Sequence, residues 1–555
     1  MYKRALLTLA YMRIQFAGLA IGHPNRRGKV LAEGGHPEGL REFAAAPTWI
    51  HRSILLDGFP MSVQHIFVLM LENRAFDHML GFAMITGRDA QTGQPTQVSG
   101  LTGSESNVFN GLTYSVSKGA DMVMPADPGH EFTNVLEQLC GSAASYSPGG
   151  AYPAIDKSGF VASYAASGGN SAPGEVLKCF APEQLPVLTA LAQEFAICDN
   201  WHASMPGPTW PNRMFVHAGS SGGLDHSPTN QEMVGWETVG GFQFKAGSIF
   251  DALKKKGVSH RLYAGDDFPM VAAIKGISLF DIHHYSEFAG DLSQGAFPYG
   301  YVFIEPSYHV LDEYRNSTSQ HPLTDVTLGE ALIKETYEAI RNSALWDTSV
   351  LIITWDEHGG FYDHMSPPAA VAPGDSHPLG EHNQFGFTFE QYGPRVPAIA
   401  VSPLIAKNTI DHRLYDHASI PAVIKVVFGA GPLTARDRQA NSPDRLFSLQ
   451  SARQDAPTTL PSAAVPTARL AMSMAIPDLN TVVASRPDET VNQGTLPVIL
   501  NSALRQDLEM SPDQRTQILK RVESIKTREQ ARQYLAEVQT KLRARRATRD
   551  REPTP

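Results

Sequence analysis

Cysteine is scarce: Cys140, Cys179 and Cys198 are the only three in 555 residues, and no CxxC or metal-finger spacing connects them. A disulfide framework and a thiolate zinc site are therefore excluded as the basis of the fold, although one bridge beside one free thiol stays open. Positive charge is also short. With 46 Lys and Arg against 56 Asp and Glu the net charge is -10, which excludes a general nucleic-acid binder, since that function needs a basic face to displace counterions. A local cationic site for a small anion is compatible with an acidic whole. No uninterrupted apolar run approaches the roughly 18 to 20 residues that span a bilayer, so the bulk of the chain is expected to be soluble. The first 22 residues carry basic and apolar stretches, but Arg13 and Gln15 interrupt the continuous segment of a cleaved signal, which leaves secretion as the lesser reading of this start and the compartment open. There is no GxxxxGK[ST], no well-placed GxGxxG and no HExxH, which removes support for nucleotide-dependent chemistry and for that metalloprotease arrangement. Internal repeats are absent as well.

What the chain does have is turn formers, 46 Gly and 39 Pro, and a set of short apolar runs. Residues 63–71 and 349–355 each read as a buried strand, the second preceded by helix-like spacing at Leu328, Leu332, Tyr337 and Ile340. Helix then strand recurs at 182–194 and 195–198, and a further strand is predicted at 396–401. Alternation of this kind indicates an α/β sheet, mostly parallel. Long tracts at 85–175 and 365–395 are loop-like, of a length that usually carries function. From Ser511-Pro512-Asp513 onward the text becomes a charged helix former, with 12 Lys and Arg against 6 Asp and Glu over 511–555. That tail, about +6, reads as a solvated appendage.

In a doubly wound sheet, ligands bind beyond the carboxyl ends of the strands. Glu72-Asn73 follows the first strand and Asp356-Glu357 follows the second, so neighbouring placement would gather three carboxylates and an amide oxygen in one volume. Their mutual repulsion is relieved by a divalent metal ion; the bland reading is a pair of polar caps. Three prolines and a glycine in Pro206-Gly207-Pro208-Thr209-Trp210-Pro211-Asn212-Arg213 fix the backbone around a threonine hydroxyl, which becomes a nucleophile only beside a base or metal. Asn212 and Arg213 are candidates for phosphate contact, while the stretch taken alone equally suits a rigid structural turn. The chain's 20 histidines include several in polar loops, His130, His283-His284, His321, His358 and His364, suited to metal ligation or proton transfer near neutral pH.

These segments, with Glu72-Asn73-Arg74-Ala75-Phe76-Asp77-His78 and Asp356-Glu357-His358-Gly359-Gly360-Phe361-Tyr362-Asp363-His364, resemble in order the signatures of the phosphoesterase family of bacterial and plant non-specific phospholipases C and related acid phosphatases. Smaller matches are Phe303-Ile304-Glu305-Pro306, His321-Pro322, Arg395-Val396-Pro397 and Tyr415-Asp416-His417-Ala418-Ser419, and together they cover about 61–430. The resemblance implies an alkaline-phosphatase-like α/β sandwich, a mostly parallel central sheet flanked by helices, with a C-terminal helical extension. It implies Thr209 as nucleophile in a covalent phospho-threonine mechanism, and a divalent metal ion of unspecified identity among Glu72, Asn73, Asp356 and Glu357. His130 and His321 match histidines near the phosphate, and the His283-His284 pair is placed beside them. Two positions depart from the pattern: Ala75 stands where Ser is frequent, and Trp210 where Asn is common, which leaves the substrate open more than the chemistry.

The chain accordingly divides into an N-terminal extension (1–60), a phosphoesterase catalytic domain (61–450), a linker-like or peripheral segment (451–510) and the charged helical tail (511–555). The expected activity is metal-assisted hydrolysis of a phosphate ester, either a small molecule or a phospholipid head group, with no nucleic acid as partner. Any membrane contact would be peripheral, through loops or the basic tail. The alternatives are a sulfatase- or phosphonate-hydrolase-like enzyme and a catalytically silent binding protein on the same fold.

Overall fold

The computed structural model describes residues 63–549 apart from 239, 279–280, 295, 376–381, 464 and 466. The expected N-terminal extension, the signal-like start and the last six residues of the tail lie outside the described residues. A ten-stranded sheet organises the rest. Its strands in chain order are β1 (His65–Leu71), β2 (Thr86–Asp89), β3 (Pro95–Gln97), β4 (Ala196–Cys198), β5 (Ser259–Ala264), β6 (Ile282–His284), β7 (Tyr299–Glu305), β8 (Ser349–Trp355), β9 (Ala398–Val401) and β10 (Thr409–Asp411). Across the sheet they run β6-β5-β7-β1-β8-β9-β4-β10-β2-β3. Only β9 and β3 oppose their neighbours, so the α/β, mostly parallel expectation holds.

The central strands are apolar for nearly their whole length because both faces are covered. β8 is buried at every residue and β1 at all but the first, as expected of parallel strands sandwiched between helices. The helices that matter for the site are α1 (Thr209–Ala218), α2 (Val326–Arg341), α3 (Ser419–Phe428), α4 (Leu496–Met510), α5 (Arg515–Glu523) and α6 (Arg528–Arg549). The side chain of Asp325 caps α2 by accepting from Thr327 N. Within the expected loop tract 85–175 the chain forms short strands, a hairpin at Ser106–Phe109 and Leu112–Ser115, and a helix at Phe132–Cys140. All three cysteines are free. Among the described residues no helix is long and apolar enough to cross a membrane.

The C-terminal expectations need correction. Residues 451–510, read as linker-like or peripheral, contribute α4, in which Leu496, Val498, Leu500, Ala503 and Leu504 are buried. The tail, read as solvated, buries Val522, Ala531, Tyr534, Leu535, Val538 and Leu542 in the same hydrophobic core as the sheet. Counting charges concealed this: Ala531, Tyr534, Leu535, Val538 and Leu542 recur at helical spacing, a narrow apolar stripe among arginines and glutamates.

Candidate active site

β1 and β8 are hydrogen-bonded neighbours in register, Leu71 opposite Trp355, so the residues that leave the two strands, Glu72-Asn73 and Asp356-Glu357, emerge side by side. Asn73 turns into the left-handed region at φ 56°, and its backbone N–H donates to Asp356 Oδ1 at 3.0 Å. The Glu357 N–H reaches the same oxygen at 2.8 Å. The following glycine is required by space: a Cβ on Gly359 would stand 2.1 Å from Asn73 O. Behind the turn, Trp201 Nε1 donates to His417 Nδ1, which leaves the proton on His417 Nε2 for the Asp356 carbonyl, 2.6 Å away.

α1 supplies the opposite wall. Pro208 precedes it in extended conformation, Thr209 is its first residue, and Pro211 falls in the first turn, where no intrahelical N–H is needed. Asn212 points back at the entering loop: its Oδ1 accepts from Met205 N, and its Nδ2 donates to the carbonyls of Met205, Gly207 and Pro208. Its expected contact with phosphate is thus replaced by a loop-fastening one, since both ends of the amide are taken. Arg213 Nε pairs with Asp356 Oδ2 at 3.0 Å, and another of its N–H groups donates to Leu71 O. Arg213 Nη1 has no partner, and its guanidinium lies over the Tyr308 ring. Thr209 stands four residues earlier, hence on the same helical face. Its hydroxyl is buried and has no hydrogen-bond partner.

His130 Nδ1 lies 2.9 Å from Glu357 Oε1 and 2.8 Å from Asn73 Nδ2, so this one nitrogen serves them in turn: protonated it donates to the carboxylate, unprotonated it accepts from the amide. His321 is near, its ring edge-on to His130 with centroids 6.4 Å apart, and it stacks on Tyr314. Asp127 Oδ2 approaches His321 Nε2 at 3.6 Å. His283 and His284 are not brought to this place. They lie on β6 at the sheet's edge, beyond β7 and β5, where His283 faces Glu287 and His284 faces Ser286.

The site's electrostatics follow from burial. Burial and then the charge of Asp356 push Glu72 up to about 8. Burial likewise raises Asp356, partly offset by Arg213. Burial would raise Glu357 too, but the charge and hydrogen bond of His130 outweigh it and hold the carboxyl low. Glu72 Oε2, Asn73 Oδ1 and Thr209 Oγ1 are all buried without a partner. Oxygen donors of this kind fit a hard divalent cation, whose charge would keep Glu72 ionised.

A second acidic group deserves comparison. Among the described residues, Asp77, Asp363 and His364 place their ligand atoms within 4.8 Å of one another, a spacing that the carboxylates of Glu72, Asp356 and Glu357 do not reach. Asp356 is drawn to Arg213 and Glu357 to His130. The Asp77 group, however, already contains its cation, because Arg395 sits 2.9 Å from both Asp77 and Asp363. Its oxygens are occupied, whereas Glu72 Oε2 and Asn73 Oδ1 are not.

Several contributors escaped the sequence reading. Thr495 donates to Glu72 Oε1 at 2.8 Å across 423 positions, and no local motif announces it. Asp127 and His417 could have been found, the first beside His130 and the second inside the segment 415–419 already matched to the family.

A family model described as Phosphoesterase family matches residues 63–431. Non-specific phospholipase C6 of Arabidopsis thaliana is 35% identical over 420 residues, covering 72% of this chain and 75% of that one. Phospholipase C B of Mycobacterium tuberculosis (strain CDC 1551 / Oshkosh) is 25% identical over 417 residues, covering 67% and 74% respectively. Among solved structures, a protein in the alkaline phosphatase superfamily from Vibrio parahaemolyticus aligns with TM-score 0.30 at 14% identity, covering 47% of this chain and 66% of that one.

Proposed function

The chain belongs to the phosphoesterase family and is a phosphate-ester hydrolase; from that premise we propose that it cleaves phosphodiesters of the phospholipid head-group type through a phospho-threonine at Thr209, with a divalent cation held by Glu72, Asn73, Asp356 and Glu357. One observation carries this reading. The Thr209 hydroxyl is buried with no partner, one helical turn from an arginine bound to Asp356. A buried hydroxyl without a hydrogen bond is costly for a purely structural residue, and a reacting group explains it.

In the first step Thr209 Oγ1 gives up its proton and attacks phosphorus, the bond from phosphorus to the leaving oxygen breaks, and the proton released by Thr209 ends on that leaving oxygen. Arg213, with an N–H still free, is placed to bind a phosphoryl oxygen, and its bond to Asp356 orients it. Buried beside His130, His321 is driven well below the usual imidazole range by burial first and by that neighbour second. It is therefore neutral at pH 7, and because its Nδ1 accepts from Leu323 N its proton sits on Nε2, which has no hydrogen-bond partner and is free to donate to an oxygen of the reacting ester. Water then attacks the phosphothreonine, the Oγ1–phosphorus bond breaks and the hydroxyl is restored. The cation, when bound, supplies positive charge for the threonine oxygen and the phosphoryl group.

The test has two arms. A panel of phosphodiester, phosphomonoester and sulfate-ester substrates, run with metal stripped and restored, should show diester cleavage that falls on stripping and returns with a divalent ion. Thr209→Val should lose nearly all turnover while Thr209→Ser keeps a measurable share, and an acid quench should leave phosphate on the peptide containing Thr209. Full activity in the valine variant, or phosphate trapped elsewhere, would remove this mechanism.

A further inference from the structure

Glu72 Oε1 accepts a hydrogen bond from a hydroxyl that comes from the far end of the chain. Thr495 Oγ1 donates at 2.8 Å, and both residues are fully buried. Thr495 occupies the position just before α4, where a threonine ordinarily turns its oxygen to cap the helix's own first N–H groups. Here no side-chain cap bond forms. The hydroxyl has been directed to the carboxylate instead, and the opening turn of α4 is left without a side-chain cap.

The other oxygen of Glu72 is buried with no partner. A carboxylate with one oxygen fastened and one free has a defined direction, whereas a carboxylate with neither fastened can rotate. The scaffold behind the donor is rigid. α4 is buried along most of its length, and segments flanking it bind the loop that follows β7: Ser307 Oγ donates to Ser473 O at 3.1 Å, and Ser485 N donates to Leu311 O at 3.0 Å. Thr495 also lies outside residues 63–431, the extent of the family match, so the family signatures do not assign it a part.

We infer that Thr495 is a positioning residue for Glu72: its hydroxyl holds Oε1 so that Oε2 is presented to the divalent cation. The inference rests on the reading of Glu72 as a metal ligand. Outer hydrogen-bond partners of ligands typically set metal affinity by 10- to 100-fold, and that is the scale on which this bond acts.

The experiment is calorimetric titration of the metal-stripped full chain with Mn2+, Zn2+ and Ca2+ in turn, for the wild type, Thr495→Val, Thr495→Ser and Glu72→Gln. Thr495→Val should weaken binding of whichever ion the wild type takes by about 10- to 100-fold, and Thr495→Ser should bind nearly as the wild type does. On a Glu72→Gln background the valine substitution should add no further loss. Should valine prevent folding, Thr495→Ser and Thr495→Ala differ by the oxygen alone and give the same contrast. Equal affinity in wild type and valine variant would overturn the role of Thr495 while leaving the metal site standing. A wild type that binds none of the ions would overturn the metal reading itself, and this inference with it.

Discussion

Asp356 is engaged on every side before any substrate arrives, with Oδ1 accepting two backbone N–H groups and Oδ2 holding Arg213. Replacing it by asparagine keeps the volume and removes the charge. Asp356→Asn should therefore lower kcat/KM on a chromogenic phosphodiester by about 10²- to 10³-fold, with a far-UV spectrum like that of the wild type. The melting temperature should fall too, since Arg213 loses its buried counter-charge; turnover at the wild-type level would take Asp356 out of the chemistry. Residues of this kind were legible because a strand end tells where its next two side chains go. Asn212 was not, since a conspicuous amide beside a nucleophile looks the same whether it faces phosphate or its own loop. Thr495 was not either: a hydrogen bond spanning 423 positions leaves no trace in local sequence.

Between single residues and the whole chain stand the segments that frame the site, and one is joined by a histidine. His226 lies 3.1 Å from Asp225 and 3.0 Å from Glu232, while Asp225 accepts from the backbone N–H groups of Gln384 and Phe385. Burial alone would lower His226, but its two carboxylate partners raise it to about 9. Burial would raise Glu232, yet the His226 bond brings it to about 2. The histidine's contribution is complete below its unfolded value of 6.5 and is lost as pH climbs through about 9. That of Glu232 is complete above 4.5 and is lost as pH falls through about 2. His226→Asn should accordingly depress the melting temperature most between these unfolded values, near pH 5.5, and least near pH 10. A depression independent of pH would reject the ion pair as the cause. At this scale the sheet's central strands were readable from their apolar runs. The short strands and the hairpin inside 85–175 were not, because two- to four-residue strands carry too few alternations to register.

For the molecule as a whole, the tail is the informative part, since its charge suggested an appendage and its packing makes it core. Leu535 is buried against that core, and Leu535→Ala should cost about 2–5 kcal/mol. No tryptophan occurs after Trp355, so tryptophan fluorescence has no emitter in the tail, while helix content includes the tail directly. The two signals should fall together in denaturant, in the variant as in the wild type. A first transition seen only in helix content would instead make the tail an independently folding module.

Thr495 also sets an order of events during synthesis. Glu72 leaves the ribosome 423 positions ahead of the hydroxyl that bonds it, an interval of roughly 20 to 85 seconds at about 5–20 residues per second. Throughout that time the nascent chain carries a buried-type carboxylate without its partner, and the segments at Ser473 and Ser485 that bind the loop after β7 emerge only toward its end. The pocket can take its final form only when almost the entire chain has emerged. A ribosome that stops early therefore releases a protein holding every signature of the hydrolase and lacking the bond that closes its site.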